Sequence, residues 1–109
     1  MTLGQKIGTL GKEGDSGQHA ISVRSTDQGR TWEEPVDIEP ADGPEASYAV
    51  MLKIPYGRIY AFYNHNTDNV REIPGPGGKP VVRVDCLGYF VFKFTDDHGK
   101  TWSARRYAM

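Results

Sequence analysis

The sequence predicts an all-β fold, and three observations predict it. An eight-residue turn motif occurs twice, each copy follows a run rich in β-branched and aromatic residues, and no segment sustains a helical apolar period. The copies are Ser25-Thr26-Asp27-Gln28-Gly29-Arg30-Thr31-Trp32 and Thr95-Asp96-Asp97-His98-Gly99-Lys100-Thr101-Trp102, set 70 residues apart. They agree at the hydroxyl, Asp, Gly, Thr and Trp positions.

The elements follow in order. Ala20-Ile21-Ser22-Val23-Arg24 leads into the first turn and Tyr89 to Phe94 into the second, so each turn is entered from a strand. Val36 to Glu39 is the strand that leaves the first turn. Tyr48 to Ile54 and Arg58 to Tyr63 are two strands joined by Pro55-Tyr56-Gly57, whose Pro and Gly suit a tight hairpin. Asn64 to Cys86 contains Pro74-Gly75-Pro76-Gly77-Gly78 and few apolar residues, which predicts a long loop rather than another strand pair. Ser103 to Met109 begins a last strand.

Composition excludes several function classes. Thirteen Lys and Arg against fourteen Asp and Glu leave a net charge of −1, so there is no basic field to gather phosphates and no nucleic-acid partner is expected. No apolar run approaches the roughly 20 residues of a membrane span. Cys86 is the single cysteine, which rules out an internal disulfide and a Cys-rich zinc site. Neither a cofactor nor a metal is predicted. Met1 to Gly17 holds no apolar core of secretory-signal length, and the sequence does not set a compartment.

The repeated octet makes a definite physical demand. Asp27 and Asp97 can accept N–H bonds across a tight turn, Gly29 and Gly99 supply a positive φ, and Trp32 and Trp102 can pack the turn against its sheet. Ser25, Thr31, Thr95 and Thr101 complete the pattern. These ten are folding residues. His98 fills a variable turn position.

The octets resemble the Asp box, Ser/Thr-x-Asp-x-Gly-x-Thr-Trp, of sialidases (neuraminidases) and other bacterial-neuraminidase (BNR) repeat β-propellers. That resemblance implies an all-β propeller fragment of antiparallel four-stranded blades, about one and a half of them in this chain. Residues 1–47 would be the end of one blade, its third and fourth strands with an Asp box at 25–32. Residues 48–109 would be the next, with the long loop 64–86 between its second and third strands and an Asp box at 95–102. Together they are expected to form one incomplete propeller domain.

Asp boxes mark the non-functional side of such propellers, which leaves the loops at the opposite mouth, Gly11 to Gln18, Pro40 to Ser47 and Asn64 to Cys86, to carry chemistry. In bacterial sialidases the acid/base aspartate lies about a dozen residues before the first Asp-box aspartate, and Asp15 stands 12 residues before Asp27. A second sialidase aspartate touches the sugar from an Asn-rich strand end; Tyr63-Asn64-His65-Asn66-Thr67-Asp68-Asn69 is similar, and Asp68 corresponds. Asn66, His65 and Glu45 are the further substrate-binding candidates, with Tyr48 on the same border.

The resemblance implies a sialidase-like exo-glycosidase, a hydrolase acting on a terminal sugar of a glycoconjugate by protonating the leaving oxygen from Asp15. The tyrosine nucleophile and the arginine triad of sialidases have no counterparts here; Arg24 and Arg58 match no triad position, and Gln5-Lys6 stands where sialidases often place an Arg. The 109-residue chain is therefore expected to be inactive by itself and to need the remaining blades of a parent chain, secreted or periplasmic as family members often are. The alternative is a non-catalytic propeller module binding glycan or protein, since Asp boxes also occur in sortilin-type receptors and photosystem assembly factors.

Overall fold

The computed structural model describes residues 4–10, 18–81 and 87–109, and these form an all-β, wholly antiparallel structure with a single 3₁₀ turn. The first sheet has three strands in the order β1 (Gly4–Leu10), β2 (His19–Ser25) and β3 (Val36–Asp37). The second has four, β4 (Ala46–Lys53), β5 (Ile59–His65), β8 (Tyr89–Thr95) and β9 (Tyr107–Ala108), in that order. This meander of successive antiparallel strands is consistent with a β-propeller fragment.

Two elements differ from the sequence reading. β1 is an additional strand, paired with β2 from Gly4 opposite Ser25 to Leu10 opposite His19. Its sequence, GQKIGTL, has too little apolar alternation to announce a strand, and pairing with β2 defines it instead. Within the long loop, β6 (Ile73–Pro74) pairs with β7 (Pro80–Val81) around the 3₁₀ turn Pro76–Gly78, so a small ribbon stands where no strand pair was expected. Gly77 at φ 69° reverses the chain, and a Cβ on Gly75 would lie 2.4 Å from the Lys79 carbonyl oxygen. The glycines that argue for a loop are the residues that close this ribbon.

The two sheets share one core. Ala20 and Ile38 of the first meet Ala46, Ala61, Tyr63 and Val91 of the second, all buried. Small residues let the sheets approach, and the Lys93 ammonium crosses the boundary to donate to the Ile38 carbonyl at 2.8 Å. Strand alternation turns the neighbouring side chains to the far face of the second sheet. Tyr60, Phe62, Phe92, Phe94 and Tyr107 form an aromatic layer there, with Phe92 and Tyr107 stacked at 5.2 Å and Phe62 5.6 Å from Phe92. Phe90, Val50 and Leu52 extend that face and are 63%, 61% and 51% exposed.

Strand direction sorts the connections into two ends. β2 and β8 both run toward an Asp box, which the β4–β5 hairpin joins: the Arg58 guanidinium grips the Asp96 carboxylate with bonds of 2.8 and 2.9 Å. The opposite end gathers the starts of β2, β4 and β8 with the end of β5.

Candidate functional site

The two octets fold into turns closed by the same hydrogen bonds. In the first, the Ser25 hydroxyl donates to Asp27 Oδ1 at 2.8 Å while its oxygen accepts the Gly29 N–H, also at 2.8 Å. Asp27 Oδ1 accepts the Thr31 N–H at 2.8 Å and Oδ2 the Thr31 hydroxyl at 2.5 Å. In the second, the Thr95 hydroxyl donates to Asp97 Oδ1 at 2.7 Å and accepts the Gly99 N–H at 3.0 Å, and Asp97 accepts the Thr101 N–H and hydroxyl at 2.9 and 2.5 Å. The hydroxyl bonds from Thr31 and Thr101 come first among the causes that hold both carboxyls down to a pKa of about 2.

Both turns use two consecutive left-handed residues, Gln28 and Gly29 at φ 64° and 88°, His98 and Gly99 at 61° and 83°. His98 therefore sits in a turn conformation and is exposed. The tryptophans diverge. Trp102 reaches the first sheet and donates to Ser22 Oγ, whereas Trp32 bonds back to the Gly29 carbonyl at 3.1 Å, is 37% exposed and lies under the Lys6 ammonium at 4.7 Å.

At the other end, backbone bonds draw three segments together. The Ala46 N–H donates to the Gln18 carbonyl at 3.0 Å, and the Asn66 N–H donates to the Glu45 carbonyl at 2.8 Å. Leu87 closes the group, accepting from Asn64 Nδ2 at 2.6 Å. Gly88, at φ 106°, passes so close that a Cβ there would meet the His65 carbonyl oxygen at 2.0 Å.

The candidates of this end take different roles. Asp68 is exposed and accepts a hydrogen bond from the Tyr89 hydroxyl at 3.2 Å. Asn66 is buried and its amide closes a turn, donating to the Val70 carbonyl at 2.8 Å and accepting the Val70 N–H at 3.2 Å. Glu45 is buried at the start of β4, whereas Tyr48, at the β-bulge of that strand with φ 56°, is 54% exposed. His65 is buried, with Nδ1 2.8 Å from Thr67 Oγ1. Asp15 and Cys86 lie outside the described residues.

Beneath this end lies a charged cluster that sequence reading missed. Glu39, just beyond β3 and 1% exposed, accepts from the Tyr63 hydroxyl at 2.5 Å and from the Arg106 guanidinium. Lys93 Nζ stands 3.8 Å from its Oε1, and His65 Nε2 3.9 Å from its Oε2. Burial alone would raise the Glu39 carboxyl, but the bonds from Arg106 and Tyr63, with the Lys93 charge, hold it below its ordinary value. Burial and the bond to Glu39 push the Tyr63 phenol up. The partners lie 24 to 67 residues from Glu39 in sequence, so no local motif could reveal them.

Among the described residues no group of three or more His, Cys, Asp or Glu could hold a metal ion. No curated protein and no solved structure matches the chain significantly. The family model of the BNR/Asp-box repeat matches at residues 23–34 and 93–104, the two turns just described. This chain carries two BNR/Asp-box repeats.

Proposed function

We propose that the chain belongs to a sialidase-like exo-glycosidase, with residues 1–47 and 48–109 contributing successive blades of a propeller whose mouth takes the terminal sugar of a glycoconjugate. The observation that carries this reading is the convergence of Gln18, Glu45, Asn66 and Leu87 at the end opposite both Asp boxes. In sequence Asp15 precedes β2, whose start lies at that end, and Asp68 presents an exposed carboxylate there beside the Tyr89 hydroxyl. In this reading Asp15 donates a proton to the leaving oxygen and Asp68 accepts hydrogen bonds from sugar hydroxyls. Further blades of a secreted or periplasmic parent supply the nucleophile and the cations that hold the sugar, and one of them covers the aromatic face of the second sheet.

The test is release of 4-methylumbelliferone from sialyl and other terminal-sugar conjugates by the protein expressed with its native flanking sequence. Turnover abolished by Asp15→Asn establishes the glycosidase and its acid. The second reading, a non-catalytic module binding glycan or protein, is favoured by one observation: Asn66 and His65 are buried and their side chains bond within their own turn. Glycan binding without turnover on any conjugate selects it.

A further inference from the structure

His65 is 1% exposed at the end of β5, and its two ring nitrogens meet opposite surroundings. His65 Nδ1 lies 2.8 Å from Thr67 Oγ1, and with the Thr67 hydroxyl turned to the His65 carbonyl at 3.4 Å that oxygen can accept from a proton on Nδ1, the tautomer on which the inference is built. Nε2 then carries a lone pair toward Glu39 Oε2 at 3.9 Å, across the boundary between the sheets. That oxygen already accepts from Tyr63 and Arg106.

We propose that His65 and Glu39 form an acid-sensitive latch: a proton added at His65 Nε2 draws Glu39 off Tyr63 and Arg106, loosening the junction of the two sheets and the Asn66 turn above it. Ala46 at the start of β4 lies opposite His65, with the buried Glu45 just before it, and four further groups surround the imidazole. Glu39 faces it from beyond β3, Tyr63 from its own strand, Lys93 from β8 and Arg106 from the approach to β9. Two fixed cations against one carboxylate leave the cluster with an excess positive charge before His65 gains any, so the proton enters against both charge and burial.

The direction of the pH dependence follows. Burial holds the imidazole below its ordinary 6.5, Arg106 and Lys93 push the same way, and Glu39 opposes them. An unfolded chain binds the proton first as pH falls below 6.5, so the stability owed to neutral His65 is complete above that value and drains away as pH falls toward the folded one. Because Asn66 follows His65 directly and its amide closes the Val70 turn, the loss reaches the mouth. The latch operates whether or not the mouth holds a glycan.

Nitrogen-15 NMR of the three histidines decides it on the wild-type protein. The expected result is a proton on Nδ1 of His65 at neutral pH, a titration below 6.5, and Asn66 and Val70 amide shifts that follow the same curve. Titration at or above that value, or amides that do not follow, overturns the proposal. Thermal unfolding at about pH 7.5 and about pH 5 gives a second readout: the midpoint of the wild type should fall by roughly 4–8 °C more than that of His65→Gln. Equal falls in the two proteins overturn it as well.

Discussion

The indole nitrogen of Trp102 donates to the Ser22 hydroxyl at 2.9 Å, a bond between residues 80 positions apart that ties the second Asp box to the middle of β2. The first box has no such bond: Trp32 turns back on its own glycine. One motif therefore serves as a self-contained turn in one copy and as a rivet between sheets in the other.

Trp102→Phe removes the rivet but keeps the ring, and should cost about 1 kcal/mol in chemical denaturation, with Ser22→Ala costing the same or less. Trp102→Ala should cost about 3–5 kcal/mol. Trp32→Ala should cost clearly less, because that indole is more than a third exposed. Equal losses at the two tryptophans would contradict the assignment.

The Asp-box carboxylates should remain ionised far into acid. Their pKa values of about 2 lie below the ordinary 3.8, so the stability they contribute is present above 3.8 and is lost as pH falls through about 2. Carbon-13 titration of Asp27 and Asp97 should show midpoints near the lower value. Asp27→Asn and Asp97→Asn should each flatten the acid limb of stability.

Removing the carboxylate at position 39 strands the partners that surround it. Glu39→Ala should destabilise the protein by about 3–5 kcal/mol, the cost of leaving buried charge uncompensated. Tyr63→Phe should cost about 1–2 kcal/mol, since one bond is lost and the charges stay paired. Urea unfolding of the two variants measures the difference.

Two glycines at positive φ should respond unequally to alanine. Gly77→Ala meets open space and carries only left-handed strain, about 1 kcal/mol. Gly88→Ala drives its methyl into the His65 carbonyl 2.0 Å away, so the return of the chain over β5 must shift. Thermal midpoints should separate the pair, and only Gly88→Ala should move the Asn66 and Val70 amide resonances.

What could be read from the sequence was what lies close together in it. Each Asp box closes its bonds within eight consecutive residues, and β2 and β8 declare themselves through runs such as Tyr89 to Phe94. β1 was hidden because five of its seven residues are Gly, Gln, Lys or Thr and pairing with β2 makes it a strand. The Glu39 cluster was hidden for a related reason: its members come from both sheets and meet only once the sheets pack. At the mouth, sequence picked out residues 65 to 68 as a polar group, but could not tell that His65 and Asn66 turn inward while Asp68 turns out, since that depends on the Val70 turn and the course of Gly88.

The 70-residue offset that superposes the two Asp boxes also carries Ala20 and Ser22 onto Phe90 and Phe92. Two small side chains on one face of the first sheet thus correspond to two rings in the second, although the turns that shape both sheets are alike. Small-faced and ring-faced sheets accept different neighbours, so the repeats are alike as folding units and unlike as addresses. Misassembly is a characteristic failure of repeat proteins, and unlike faces disfavour it. Exchanging the two faces while leaving every Asp-box residue in place would keep each turn intact and scramble the order in which the sheets assemble.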